Sequence, residues 1–387
     1  MPGGRIRVVH VVDSLAQSGG AERRLVEEVL AMAERFDQRV VRLYERDDLQ
    51  GRLEEAGIPV IGLGLQARHA GRTWAFAAHR LRAELRRWRP AVLHTTLFSA
   101  NLVGQLAARS LRIPVVSSFN RTGEIGLQRA LQPGVAGWKG RTMQAVARRA
   151  ARSDEIHFRA VSAYAGASNR ELYDVPAARV TVVPRGIRIA NPVDASRSSF
   201  GLRSGGPLFV NVARLVPEKG QQLLVEAFAR VRTDLPDAQL AIAGAPGSAE
   251  PAVRMAIERH QLDGTVHLLG WRPDVAALVT AADVFVFSSL SEGFPSAVLE
   301  AMALGTPVVA FDIAPVVELT GGHAHLVPTG STDELAREMV GAVTAPDEGG
   351  VEAARVWARR FGLDEIVEEL GDLLERCARR PAAGIPA

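Results

Sequence analysis

Two glutamates, Glu292 and Glu300, stand eight positions apart around a Gly293-Phe294-Pro295 turn, and this spacing is the strongest chemical signal in the chain. Carboxylates accept hydrogen bonds from hydroxyl groups. A helix N-terminus between them, with unpaired N–H groups and a partial positive charge, suits a phosphate. Together these groups would hold a phosphate with hydroxyls on either side of it. Further upstream stand two cations, Arg214 and Lys219. The chain has 46 lysines and arginines, and only Lys139 and Lys219 are lysines. An ammonium is a compact point charge able to reach one phosphate oxygen, whereas a guanidinium is a planar fork. Genome composition explains the arginines, and chance would still leave two lysines.

The elements that must position these residues are legible around them. Residues 283–289 form a short apolar run rich in β-branched and aromatic side chains, which reads as a buried strand. Gly293 and Pro295 break it, Ser296 is the expected N-cap, and Ala297–Leu304 supplies helix formers until Gly305. Thr306–Phe311 begins the next strand. A strand–turn–helix–strand unit places its turn at the carboxyl edge of a parallel sheet, where open α/β proteins bind ligands. Arg214 and Lys219 follow the strand Leu208–Val212 and precede the helix Gln221–Arg230, which puts them at a sheet's carboxyl edge as well.

The same alternation runs through the chain. In the first half the spacing predicts strands at Ile6–Val12, Arg39–Tyr44, Val60–Leu63, Ala91–Thr95, Pro114–Ser118, Phe158–Val161 and Val180–Val183. Helices between them include Ala21–Arg35 and Ser99–Arg109. In the second half it predicts strands at Leu208–Val212, Gln239–Ala243, Val266–Leu269, Val284–Ser288, Val308–Phe311 and His325–Val327. This pattern predicts two doubly wound parallel sheets. At 387 residues the chain is too long for one ordinary core. Pro184–Pro207, rich in Pro, Gly, Ser and Arg, is the expected linker, and Val351–Arg380 is an amphipathic helical tail.

Composition narrows the function classes. A hydrophobic share of 47% with 23% charge is globular, and no apolar stretch approaches a membrane span. The opening run Arg5–Asp13 reads as a first strand rather than a signal peptide. Cys377 is the only cysteine, so cysteine-rich zinc sites and intrachain disulfides are excluded and a reducing cytoplasm is expected. Neither His-Glu-x-x-His nor Asp-x-Asp occurs, so no metal site is expected.

On these residues the chain resembles a family 4 retaining glycosyltransferase of the GT-B fold. The most specific stretch, Gly270-Trp-Arg-Pro-Asp274 through Ala310, is similar to the family's donor region with its Glu-x7-Glu motif at Glu292 and Glu300. Asn211–Gly220 resembles the Arg/Lys diphosphate clamp, and Ser18-Gly19-Gly20-Ala21-Glu22 the glycine loop. The resemblance implies two Rossmann-like domains facing across a cleft, with a last helix crossing back to the first. Residues 1–188 would bind the acceptor, residues 206–350 the nucleotide sugar, and residues 351–387 would return. It further implies that Arg214 and Lys219 bind the diphosphate, Glu292 the transferred sugar and Glu300 the ribose hydroxyls. Gly293, Phe294, Pro295 and Ser296 would offer backbone groups to the phosphates.

The expected reaction is metal-independent transfer of a hexose from a UDP- or GDP-sugar to a hydroxyl acceptor, with no cofactor beyond that co-substrate. A sugar-nucleotide epimerase of the same fold and a non-catalytic binding protein are the rival readings. Helix capping would account for either glutamate alone, but not for the pair together with Gly293-Phe294-Pro295. Gly19 and Gly20 form either a tight turn or a loop approaching the donor. Gly244, in Gly244-Ala-Pro-Gly247, lines the nucleotide site or is a plain turn.

Two positions depart from the family pattern. Many relatives carry a histidine where this chain has Asn120, in the sugar or acceptor site. Asn can hydrogen-bond but cannot exchange a proton at neutral pH, and a purely structural polar residue is the other reading. Arg185 stands where relatives often have Asn, and it is expected at the hinge without a catalytic role. Residues 121–152 contain seven Lys/Arg against one Glu, and residues 68–89 are similarly basic. On a helix over Thr142–Arg152, Arg141, Arg148 and Arg152 would line one face and Met143, Val146, Ala147 and Ala150 the other. Such stretches suit an anionic membrane or a lipid-phosphate acceptor; a solvated face is the level alternative. Sparse aromatic interleaving argues against nucleic acid.

Overall fold

The computed structural model describes residues 4–17, 19–65, 72–121, 138–189 and 196–379. The chain divides into two units, Met1–Gly186 with Leu363–Ala387, and Ile187–Gly362. Each is built on one parallel sheet. The first holds β1 (Ile6–Val12), β2 (Phe36–Tyr44), β3 (Val60–Leu65), β4 (Val92–Thr96), β5 (Val115–Phe119), β6 (Ile156–Ala160) and β7 (Val180–Val182), in the spatial order β3-β2-β1-β4-β5-β6-β7. The second holds β8 (Leu208–Val212), β9 (Gln239–Ala243), β10 (Val266–Gly270), β11 (Val284–Phe287), β12 (Val308–Phe311) and β13 (His325–Val327), ordered β10-β9-β8-β11-β12-β13.

Both sheets are buried on two faces, as parallel sheets with crossover helices must be. In the second unit the period-2 alternation is explicit. Val284 and Val286 of β11 pack on one side with Phe209, Leu224 and Phe228, while Phe285 and Phe287 pack on the other with Val298 and Met302. In both sheets the strand order reverses at an inner pair, β1/β4 and β8/β11. Such a switch point diverges the two following loops and leaves a crevice at the carboxyl edge.

The first sheet carries an unusual amount of polarity in its interior. A chain of imidazoles starts at Gln38: its Oε1 accepts from His10 Nε2 at 2.9 Å, and His10 Nδ1 lies 3.0 Å from His94 Nδ1. His94 Nε2 reaches Ser118 Oγ at 3.0 Å. Burial lowers the His10 pKa to about 4 despite the Gln38 bond. Burial, the facing His10 and the cations Arg159 and Arg185 hold His94 well below its usual value. Both rings are therefore neutral at pH 7 and act as hydrogen-bonding struts between strands.

The helix Leu363–Ala378 belongs to the first unit. Its stripe of Ile366, Val367, Leu370, Leu373, Leu374 and Cys377 packs on Val8, Met32, Phe36, Val92 and Val116. Arg35 clasps its outer face, pairing with Glu368 (2.8 Å), Asp372 and Glu375 (3.0 Å). Gly371 makes this fit possible, because a β-carbon there would overlap the Arg35 guanidinium.

The preceding helix, Glu348–Ala358, stays with the second unit and does not join the returning segment expected over Val351–Arg380. Trp357 pins it there: Nε1 donates to Leu319 O at 2.8 Å, and the ring covers Gly321. The expected linker is likewise mostly built into the second unit. Ile187 bridges to Gly362, and Phe200 and Leu202 join the core under β8.

Candidate active site

The loop after β8 is held in place mainly by backbone. Ala213 N donates to Ala243 O (3.0 Å), Leu215 N to Ala245 O (3.1 Å), and Ala249 N to Leu215 O (3.0 Å). This stitching needs two glycines, since β-carbons at Gly244 and Gly247 would overlap the carbonyl oxygens of Ala213 and Leu215. Gly244 thus supports the Arg214 loop from below. Buried Gln221 donates from Nε2 to Arg214 O at 3.0 Å and fixes the loop from the helix side. Sequence reasoning passed over Gln221, whose only signal was an amide at the start of an apolar helix.

A second set of bonds zips the loops that follow β8 and β11. Ser288 Oγ donates to Lys219 O at 2.9 Å, and Leu290 N donates to Glu218 O at 2.8 Å. Gly220 sits at φ +62°, with Ser288 O where a β-carbon would be. The outcome is that Lys219 Nζ donates to Glu292 Oε1. Two residues 73 positions apart, each from a loop at the β8/β11 switch point, meet as an ion pair with both side chains largely shielded from solvent.

Past Glu292 the chain turns through Gly293–Pro295 into the helix Ser296–Leu304. Ser296 is the first helical residue and not the N-cap. The tight turn Ser296 N to Phe294 O (3.0 Å) and the bond Val298 N to Pro295 O (3.0 Å) complete the entry one residue earlier, leaving Pro295 in the cap position. No side-chain oxygen caps this terminus, and the positive end of its dipole follows Glu292 directly in the chain. Glu300 is half-buried, about one turn into the helix. Gly305, at φ +80°, ends it.

Gly19, Gly20 and Asn120 lie in the other unit. Gly19 is the N-cap of the helix Gly20–Ala31 and accommodates the Glu22 carboxylate where a β-carbon would stand; Ser18 lies outside the described residues. Asn120 follows β5 and is half-buried. Its Oδ1 accepts from Arg185 Nη2, and its Nδ2 donates to Ser118 O at 3.3 Å. Arg185 stands one residue before Gly186, where the chain leaves the first unit, as expected of a hinge position. It is buried, and Nη1 donates to Glu28 Oε2 at 2.7 Å. Arg159, from β6, makes a bidentate pair with the same carboxylate at 2.8 and 2.9 Å. Burial opposes ionisation of Glu28, but the two guanidinium groups outweigh it and hold its pKa below the usual range. Burial pulls Arg185 down to about 10. This cluster was invisible in sequence, because its members are 131 and 157 positions apart.

Residues 206–344 match the family described as Glycosyl transferases group 1, and residues 19–186 match the Glycosyl transferase 4-like domain. The chain belongs to the group 1, family 4 glycosyltransferases. A D-inositol 3-phosphate glycosyltransferase of Xylanimonas cellulosilytica is 29% identical over 349 residues, covering 81% of this chain and 79% of that one. An uncharacterized glycosyltransferase of Methanocaldococcus jannaschii, MJ1059, is 37% identical over 105 residues, 27% of this chain and only 26% of its own length. Among solved structures, Anabaena HepE in complex with UDP and glucose superposes with a TM-score of 0.79 at 21% identity, over 96% of this chain and all of that one. The architecture of this glycosyltransferase is therefore GT-B, and its donors are nucleotide sugars.

The basic stretches of the glycosyltransferase lie partly outside the described residues. In the described part, Arg148 Nε donates to Leu172 O at 2.6 Å and Arg152 pairs with Asp174 at 2.9 Å. Val146, expected on the apolar face of the helix Trp138–Ala151, is exposed, whereas Ala147 and Ala150 are buried. Small side chains let that helix lie close to its neighbours and leave the longer valine outside. No helix among the described residues is long and apolar enough to cross a membrane.

Proposed function

We propose that this glycosyltransferase is retaining and metal-independent, and moves a hexose from a UDP- or GDP-sugar to a hydroxyl acceptor. The second unit binds the donor and the first the acceptor. Arg214 and Lys219 neutralise the leaving diphosphate, aided by the N-terminus of the helix Ser296–Leu304. Glu292 holds the transferred sugar, Glu300 the ribose, and Gly293 to Ser296 the phosphates through backbone groups, with Gly244 keeping the Arg214 loop in place. In a front-face transfer the bond from the anomeric carbon to the diphosphate breaks as the acceptor oxygen attacks from the same side. The leaving phosphate oxygen takes the acceptor's proton.

One observation carries this reading: the β8 and β11 loops, zipped together at the switch point, set Lys219 against Glu292 beside an uncapped helix N-terminus. The UDP and glucose of the Anabaena structure are in keeping with it. So is the name of an Escherichia coli relative, a UDP-Gal-dependent α-1,3-galactosyltransferase 31% identical over 153 residues.

A thermal-shift screen against UDP, GDP, ADP and their sugars should raise the melting point with UDP or GDP. Turnover with the matching sugar should survive a chelator and give a product with the donor's anomeric configuration by NMR. Inverted product, or loss of turnover with chelator, would overturn the proposal. If the acceptor is carried on a lipid phosphate, residues 68–89 and 121–152 add an anionic-membrane contact, and cosedimentation with anionic vesicles reads that out.

A further inference from the structure

The two positions that depart from the family pattern, Asn120 and Arg185, touch each other. Arg185 Nη2 donates to Asn120 Oδ1, and the far end of the same guanidinium is fixed on Glu28 at 2.7 Å. The orientation of the Asn120 amide follows from its partners. Arginine can only donate, so the amide oxygen must face it. The Ser118 carbonyl can only accept, so the amide nitrogen must face that side, at 3.3 Å. With both ends assigned by chemistry, one amide hydrogen goes to Ser118, and the second takes no partner among the described residues at the half-buried carboxyl end of β5.

The cost of holding this arrangement is visible. Glu28 is shared by two buried guanidinium groups, and Glu22 is a second carboxylate whose charge reaches Arg185. Burying two cations on one directly bonded carboxylate is costly, so each guanidinium needs further partners. Arg159 already satisfies both Glu28 oxygens, so anchoring that carboxylate does not require Arg185. What Arg185 adds is a reach from Glu28 to Asn120.

We propose that Arg185 is a positioning residue that, braced on Glu28, locks Asn120 as a fixed hydrogen-bond donor to the hydroxyl acceptor. This rests on the reading of Asn120 as an acceptor contact, and gives it a direction: the residue donates and does not exchange protons. A polarised amide N–H aimed at an acceptor oxygen orients the substrate without adding a titrating group to the site.

Four variants of the full chain test it, with kcat, acceptor KM, UDP and GDP binding, and melting temperature as readouts. Asn120→Asp keeps an acceptor for Arg185 and makes the contact an ion pair, but removes the amide donors. The expected result is a higher melting temperature with kcat reduced by on the order of tenfold or more. Arg185→Lys keeps the charge next to Glu28 but loses the fork that spans both partners. It should lower kcat to a similar extent and leave nucleotide binding unchanged. Asn120→Ala with Arg185→Lys should be no slower than the slower single variant, because the two act as one unit. If Asn120→Asp and Asn120→Ala turn over at the parent rate, the contact reading of Asn120 is wrong. If they are slow but Arg185→Lys is as fast as the parent, or the double variant multiplies the losses, the positioning role of Arg185 is wrong while the contact stands.

Discussion

At the scale of single residues the proposed donor site is a balance of charges. Lys219 donates to Glu292, and under the proposed function an incoming diphosphate would compete for that ammonium. Lys219→Ala is expected to lower turnover on the order of a hundredfold, as losing one preorganised charge-stabilising donor does; steady-state kcat measures it, and parental turnover would remove Lys219 from the clamp. Glu300→Ala is expected to raise the donor KM more than it lowers kcat, because a ribose contact is made equally in ground and transition states. An unchanged KM would argue against ribose binding. In the first unit, Glu28→Gln leaves two buried guanidinium groups facing a neutral amide. It should cost about 3–5 kcal/mol of stability, read from urea unfolding; a loss under about 1 kcal/mol would mean that water reaches the cluster.

Elements deliver these residues through close backbone contact. A methyl at Gly244 would meet the Ala213 carbonyl, which accepts from Gln221 Nε2 at 3.4 Å and belongs to a residue pinned by its own N–H to Ala243 O, so it cannot swing aside as a side chain would. Gly244→Ala should therefore shift the Arg214 loop and weaken nucleotide binding while the circular dichroism of the sheet persists. Unaltered binding would show that Arg214 does not depend on this packing. The helix Leu363–Ala378 is the clearest structural element of the first unit. Leu370, on its inner face, is fully buried, and Leu370→Ala should cost about 2–5 kcal/mol, the transfer term plus the cavity left behind, measured as a lower denaturation midpoint. Much of this layer was legible from pattern alone. β1, β8, β9, β12 and β13 fall where apolar runs and turn residues predict them; for β8, β9 and β12 this is because a strand buried on both faces is written as a nearly uninterrupted apolar segment. Ser296 was misplaced by one residue because capping preference is a side-chain rule, and the entry was set by a backbone turn at Pro295.

For the whole molecule, the pH response should be governed by the interior of the first unit. His10 and His94 are depressed by burial, so unfolded chains bind more protons than folded ones once the pH falls below about 6.5. Their contribution is full above that value and is lost as the pH falls toward 4, on the order of 3 kcal/mol for His10 alone. Glu28, held low by Arg159 and Arg185 against burial, has the same sign at lower pH. Asp13 opposes them: burial raises it to about 7, so its contribution is present in acid and lost as the pH rises through 7. Two imidazoles outweigh one carboxyl, and the urea midpoint of the first unit should fall between pH 6.5 and 4. A flat or rising midpoint would mean that the rings are not held neutral. By itself the sequence determined the two-sheet class, most of the strands and the family, and it singled out Glu292, Glu300, Arg214 and Lys219 as candidates, because these depend on local periodicity and on motifs within a few tens of residues. Only the tertiary structure decided that Lys219 meets Glu292, that Gly244 carries the Arg214 loop, and that Asn120, Arg185, Arg159 and Glu28 form one cluster. Those contacts join segments 30 to 157 positions apart, and a buried charge finds its partner through chain topology, which no local pattern of residues records.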